Sequence, residues 1–267
     1  MKIGIVHVTV EEGSGPYTEL ITQTFGAAKR DDTELLHRYV RHMRRATDTA
    51  LAFPTLLNKV DVIAEFLDLQ SAGADAVMVA CSGDTGVSEA RSLLDIPVVG
   101  PMEAAAGLAM GYGRRIGIVT VADRPWAGFM DQFMHDIGLG SRYVGQRQLR
   151  TPTMEVFTQG FTQPDAVAAE IEEAARELVE IGAESILVGS AGLSTFASIG
   201  GLTHLKDPVV PVFDVLVAGL KTAETRAELQ IKTGLPPVSR AGWTERYKDA
   251  DLARLSRQFG WIPVPGS

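Results

Sequence analysis

Short apolar runs alternate along the chain with longer stretches in which apolar residues recur three and four apart. A chain patterned this way builds a parallel sheet covered by crossover helices, because each run can be buried only when the next helix folds back over it. The runs at 2–8, 34–40, 75–80, 97–99, 115–121, 185–188 and 209–213 are read as strands. They barely alternate between apolar and polar, as strands covered on both faces should. Residues 55–72, 85–94, 102–111, 124–137, 163–181 and 213–229 carry the helical period. The predicted fold class is α/β, with short parallel sheets flanked by helices.

The middle of the chain is echoed later. Gly73-Ala74-Asp75-Ala76-Val77-Met78-Val79-Ala80-Cys81-Ser82-Gly83 is followed by a Pro97-initiated strand and an Ala-rich helix. Gly182-Ala183-Glu184-Ser185-Ile186-Leu187-Val188-Gly189-Ser190-Ala191-Gly192 is followed by Pro208, another strand and another Ala-rich helix. Such an echo predicts two pseudo-symmetric domains facing each other across a cleft, with Cys81 and Ser190 in equivalent places. Residues 1–112 with 214–267 are assigned to a discontinuous first domain and 113–213 to the second. The last stretch is rich in aromatics and prolines (Pro236, Pro237, Trp243, Tyr247, Phe259, Trp261, Pro263, Pro265), which suits an arm packed on the body or on a neighbouring subunit of a homo-oligomer.

The 33 acidic and 25 basic side chains give a net charge of -8, the opposite of what phosphate-backbone binding requires, so nucleic acid is not an expected partner. The basic run His37, Arg38, Arg41, His42, Arg44 and Arg45 is read as solvated surface, with substrate steering as the alternative. A single cysteine forms no internal disulfide, and Met1-Lys2-Ile3-Gly4-Ile5-Val6 reads as a core strand and not as a secretory leader. A cytoplasmic location follows as the expectation. No apolar stretch reaches the roughly 18 to 20 residues that cross a bilayer, so no membrane association is expected.

Cys81 ends a strand and precedes the small-residue turn Ser82-Gly83-Asp84-Thr85-Gly86. Ligands of open α/β sheets bind at carboxyl strand ends, and a helix N-terminus there lowers a thiol's pKa. A merely buried cysteine is the alternative. Ser190 shares the setting, but an unactivated alcohol ionises too weakly to remove a carbon-bound proton, so it is read as a hydrogen-bond donor or proton carrier, or else a helix cap. His7, at the end of the first strand, could pair with Cys81 as in a nucleophilic hydrolase. Asp84, Glu103 and Asp214 follow strand ends, where an acid orients a substrate or simply complements a helix dipole. Thr120, ending the strand at 115–121, could turn its hydroxyl to the cleft. Metal-ligand spacing and a dinucleotide fingerprint are both absent, so no metal and no cofactor are implied.

The segments 74–86 and 97–105 resemble the first-domain signature of the Asp/Glu/hydantoin racemase family. Residues 115–120 resemble its second-domain opening strand, and 182–192 its second catalytic turn. The resemblance implies an isomerase that removes and returns a proton beside a carbonyl without a cofactor, acting on a small anionic or imide substrate in the cleft. It also implies that backbone amides of Ser82, Gly83, Asp84, Thr85, Ala191 and Gly192 hold the substrate and its enolate-like charge. His7 and Thr120, from their strand ends alone, are read as further substrate-binding residues. The chain departs from the family pattern twice: Ser190 stands where racemising members usually have a second cysteine, and Val8-Thr9-Val10-Glu11-Glu12 replaces the Pro-Asn-Ser/Thr turn usual in hydantoin racemases. A racemase or epimerase using Cys81 is therefore the leading reading. A one-thiol decarboxylase, cis-trans isomerase or lyase on the same scaffold, a ligand-binding relative and a Cys–His hydrolase stay open beside it.

Overall fold

The computed structural model describes residues 1–260. In chain order these form β1 (Lys2–His7), α1 (Gly15–Ala28), β2 (Glu34–Tyr39), α2 (Ala52–Ser71), β3 (Ala76–Val79), α3 (Val87–Ala90), β4 (Val98–Val99), α4 (Pro101–Ala109) and β5 (Ile116–Thr120). Then come α5 (Arg124–Asp136), β6 (Tyr143–Gln148), α6 (Thr153–Gly160), α7 (Pro164–Glu180), β7 (Ser185–Val188), α8 (Ala191–Ile199), β8 (His204–Leu205), β9 (Val210–Phe213), α9 (Val215–Thr233) and α10 (Asp249–Phe259). The chain is α/β as expected, and no helix among the described residues is long and apolar enough to cross a membrane.

Contacts divide the chain into two compact units. The first comprises Met1–Ser14, Lys29–Gly100 and the described residues from Leu220 onward. Its sheet runs β2-β1-β3-β4, with every pair parallel. The second comprises Gly15–Ala28 and Pro101–Gly219, with the sheet β6-β5-β7-β9-β8, parallel except where β8 runs against β9. This second unit takes in 15–28, 101–112 and 214–219, stretches that the sequence reading grouped with the first half. The reason is packing: α1 lies on α8, and α4 lies on β7, where the Ser185 hydroxyl donates to the Ala109 carbonyl at 3.4 Å.

The central strands of the two sheets carry one motif. Ile3-Gly4-Ile5-Val6 in β1 and Ile116-Gly117-Ile118-Val119 in β5 are both buried throughout. A Cβ on Gly4 would lie 2.7 Å from Leu69 Cδ1 of α2, and one on Gly117 would lie 3.1 Å from Leu178 of α7. Glycine in mid-strand weakens a sheet unless another element approaches closely, and here a covering leucine fills the space. Leu69 and Leu178 are fully buried, and truncating such a leucine to alanine costs about 2–5 kcal/mol.

The strand at 185–188 matches its expected bounds and the other expected strands are one or two residues shorter or shifted at their ends. The helix expected at 85–94 is regular only over Val87–Ala90. Sequence periodicity missed β6, whose Tyr-Val-Gly-Gln-Arg-Gln is half-buried edge, and α8, whose Ala-Gly-Leu-Ser-Thr-Phe-Ala-Ser-Ile reads as turn but is buried almost throughout. The tail returns to the first unit: Arg240 donates to the carbonyls of Arg91 and Leu94 at 2.6 and 2.5 Å, and the Tyr247 amide to Ser92 at 2.8 Å. Trp261, Pro263 and Pro265 of the expected arm lie outside the described residues.

Candidate active site

The first candidate turn grows directly out of β3, a strand with all four residues buried. The Ala80 amide donates to the Val6 carbonyl at 2.8 Å, which carries the sheet pairing up to Cys81. Beyond it the chain doubles back: the Asp84 amide reaches the Cys81 carbonyl at 3.1 Å, and Asp84 takes a left-handed φ of 47°. This backbone is unusual for a residue with a side chain, and the Asp84 carboxylate packs against Gly100.

Cys81 is only 6 % exposed. Its sulfur accepts two hydrogen bonds, from the Gly83 amide at 3.4 Å and the Thr85 hydroxyl at 3.7 Å. Burial pushes the thiol above its ordinary pKa and the Asp84 charge adds to the rise, while the Gly83 and Thr85 donors pull the other way. The expected lowering of this pKa is thereby corrected. With regular helix only from Val87 to Ala90, no long helix dipole faces the sulfur, and desolvation wins. Of the amides expected to hold a substrate, Gly83 is turned to the sulfur and Asp84 to the Cys81 carbonyl. Ser82 and Thr85 are buried in the same turn.

The second turn follows β7. Ser190 is the residue before α8, its backbone extended at φ -146° and ψ 128°, and its side chain makes no capping hydrogen bond. The Ser194 amide bonds the Ser190 carbonyl at 2.9 Å, so the amides of Ala191 and Gly192 in the first turn of α8 have no intrahelical acceptor. Thr120, expected as a substrate-facing hydroxyl, is fully buried and donates to the Gly189 carbonyl at 3.2 Å. Trp126 Nε1 donates to the same carbonyl at 2.8 Å. Both therefore fix the peptide immediately before Ser190.

His7 is 2 % exposed and engaged elsewhere than with Cys81. Its Nε2 shares a 2.9 Å hydrogen bond with His37 Nδ1, and its ring stacks on Tyr39 at 4.5 Å. Alternation along β1 explains this: Gly4 faces Leu69 of α2, so His7, like Ile3 and Ile5, points from the other face of the sheet. Burial first and the neighbouring His37 second lower its pKa to about 3, so the ring is neutral. Its Nδ1 has no partner.

Asp214 is the helix acid of the plainer reading. Its carboxylate accepts from the Leu216 and Val217 amides at 2.8 and 3.1 Å and from the Ser198 hydroxyl at 2.6 Å, although burial raises its pKa. The basic run is also accounted for, with Arg41 on Glu65 at 3.3 Å, His42 on Asp61 at 2.8 Å and Arg44 on Glu12 at 3.0 Å. Among the described residues no group of three His, Cys, Asp or Glu side chains is placed to hold a metal ion.

Sequence reasoning missed Asn58 of α2. It is 2 % exposed, and its Nδ2 donates to the Val8 carbonyl at 3.0 Å while its Oδ1 has no partner. The available signal was a polar residue on the buried stripe of α2 that continues through Val62, Phe66 and Leu69.

The family model described as Asp/Glu/Hydantoin racemase matches residues 5–223. A hydantoin racemase of Pseudomonas sp. (strain NS671) is 35% identical over 174 residues, covering 64% of this chain and 66% of the relative. The chain thus aligns with about two thirds of that relative's length. Two solved structures share the fold at 24% identity. An allantoin racemase from Klebsiella pneumoniae has a TM-score of 0.76, covering 93% of this chain and 94% of that one. An allantoin racemase from Pseudomonas fluorescens has a TM-score of 0.72, covering 93% and 97%. With the family's sequence pattern running through both sheets and both turns, the chain belongs to the Asp/Glu/hydantoin racemase family.

Proposed function

We propose that the protein is an isomerase, a cofactor-independent racemase of a small cyclic ureide of the hydantoin type, with Cys81 as the proton-exchanging group. The observation that carries this reading is the setting of the sulfur. It is buried at a carboxyl strand end and accepts hydrogen bonds from both the Gly83 amide and the Thr85 hydroxyl. Those donors stabilise a thiolate more than a thiol, so charge formed during turnover has a prepared environment. The thiolate takes the proton from the carbon beside the carbonyl, and the C–H electron pair passes into the enolate. For that step the resting thiol has first released its proton to solvent. A solvent proton relayed through the Ser190 hydroxyl, which is reprotonated as it donates, then reaches the other face and completes inversion, and the thiol returns the abstracted proton to solvent to regenerate the base. The Ser190 hydroxyl is proposed as the second proton carrier, with the Ala191 and Gly192 amides as donors to developing negative charge. A free thiol used this way suits a reducing compartment such as the cytoplasm. A homo-oligomer is proposed as well, in keeping with the exposed apolar side chains Leu51, Phe53, Leu56 and Leu57 at the start of α2.

A hydantoin of known handedness in deuterated buffer tests the reading: the optical signal should decay while deuterium enters recovered substrate. Cys81→Ala should abolish both with the fold intact, and wild-type rates in that variant would sink the assignment. One-thiol decarboxylation is the second reading, favoured because Cys81 is the only cysteine of the chain. It would put deuterium into product alone.

A further inference from the structure

Asn58 is a buried amide satisfied at one end only. Its Nδ2 donates to the Val8 carbonyl, and because that partner can only accept, the amide orientation is fixed with Oδ1 as the orphan. Buried polar atoms are nearly always paired, and leaving one unpaired is costly. An apolar side chain would complete the stripe of α2 without that cost.

The anchor of Asn58 lies one strand from the sulfur turn. β1 and β3 are neighbours in parallel register, Val6 opposite Val79, and the Ala80 amide still reaches Val6, so the same register carried on two residues brings Val8 level with Cys81. Asn58 is anchored to the Val8 carbonyl. The same stretch of α2 seats the far end of the turn: a Cβ on Gly86 would meet the Lys59 carbonyl and Ile63 at 3.3 Å and Val62 at 3.4 Å. A Cβ on Gly4 would meet both Leu69 of α2 at 2.7 Å and Val77 of β3 at 3.0 Å, so this helix covers the sheet face of β1 and β3 that Val77, and by alternation Val79, share. α2 thus anchors Asn58, with its unpaired acceptor, to the residue that follows β1, the strand next to β3 and its Cys81. The neighbouring cation on the helix, Lys59, is paired with Glu89 at 2.8 Å.

Resting on the racemase reading, we infer that Asn58 is a substrate-positioning and specificity-determining residue, its Oδ1 accepting one ring N–H of the ureide so that the adjacent C–H is presented to Cys81. A neutral carbonyl matches a neutral N–H donor. It is a poor counterpart for the ammonium of a free amino acid, whose buried charge needs an anion.

The experiment measures binding of a 5-substituted hydantoin and its two ring N-methyl isomers, by ligand-induced thermal stabilisation and by kcat and KM. In the wild-type protein one of the two methylations should weaken binding by about tenfold or more, and in Asn58→Ala the parent and that isomer should bind alike. The parent's KM should rise more than its kcat falls. Wild-type protein indifferent to both methylations, no binding of any hydantoin, or a variant that keeps the wild-type preference would each overturn the assignment. Should Asn58→Ala fail to fold, the wild-type methylation comparison and Asn58→Ser decide. Deuterium exchange on the parent hydantoin is scored separately, so exchange without N–H discrimination removes Asn58 and leaves the racemase reading standing.

Discussion

The Asp84 carboxylate occupies the space that a side chain at position 100 would need: a Cβ on Gly100 would overlap its Oδ2 and Cγ and lie 2.9 Å from its Cβ. Gly100→Ala should therefore push Asp84 outward and shift the turn that holds the Cys81 sulfur. A displacement on the order of 1 Å at a reacting group lowers rates by about 10². If Cys81 is the proton-exchanging group, loss of racemisation with little change in unfolding midpoint is the expected result, and unchanged kinetics would show that the turn does not depend on this contact.

Because the thiol's pKa is raised, alkylation of Cys81 by iodoacetamide should keep accelerating as pH rises beyond the ordinary thiol range. Thr85→Val removes a donor that favours the thiolate, so its profile should move to still higher pH; Asp84→Asn removes a repelling charge and should move it lower. Profiles that coincide in all three proteins would count against the hydrogen-bonded sulfur.

His7 titrates at about 3 when folded, against 6.5 when unfolded, so the unfolded chain binds the extra proton first. Its contribution is fully present above pH 6.5 and is lost as pH falls toward 3, at up to about 1.4 kcal/mol per pH unit. Burial lowers His37 in the same sense. His7→Phe keeps a ring on Tyr39 and removes the titration, so urea midpoints at pH 7, 5.5 and 4.5 should fall less steeply than in the wild type. Parallel slopes would refute a neutral buried His7.

Ser190→Cys replaces an alcohol with a group able to ionise. If Ser190 is a proton carrier in a racemase, the change should raise racemisation of hydantoins by roughly 10² to 10⁴, the usual contribution of a positioned acid–base group. No gain on hydantoins, aspartate or glutamate, followed by circular dichroism, would favour the one-thiol reading.

Much of this was legible because burial on both faces writes itself into composition: strand 185–188 and the two echoed turns stand out as apolar runs closed by small residues. The repeated Ile-Gly-Ile-Val was legible too, but its meaning needed Leu69 and Leu178, which lie far along the chain. α8 escaped because Gly192, Ser194 and Thr195 have weak helix propensity and are helical through burial. His7 was identified from its strand end, but which face it took depended on the register of β1 and on the position of α2. Asn58 looked like one more polar residue in a helix until the Val8 carbonyl was seen to occupy its amide nitrogen.

The burial that keeps the proton on Cys81 also governs its encounter with oxidants. Peroxide attacks thiolates, and sulfenic acid forms fastest on low-pKa, exposed cysteines. A sulfur that is 6 % exposed and held as the thiol is a poor target between turnovers. On the proposed mechanism its vulnerable moment would be confined to the catalytic cycle, when bound substrate itself would stand in the way of the oxidant.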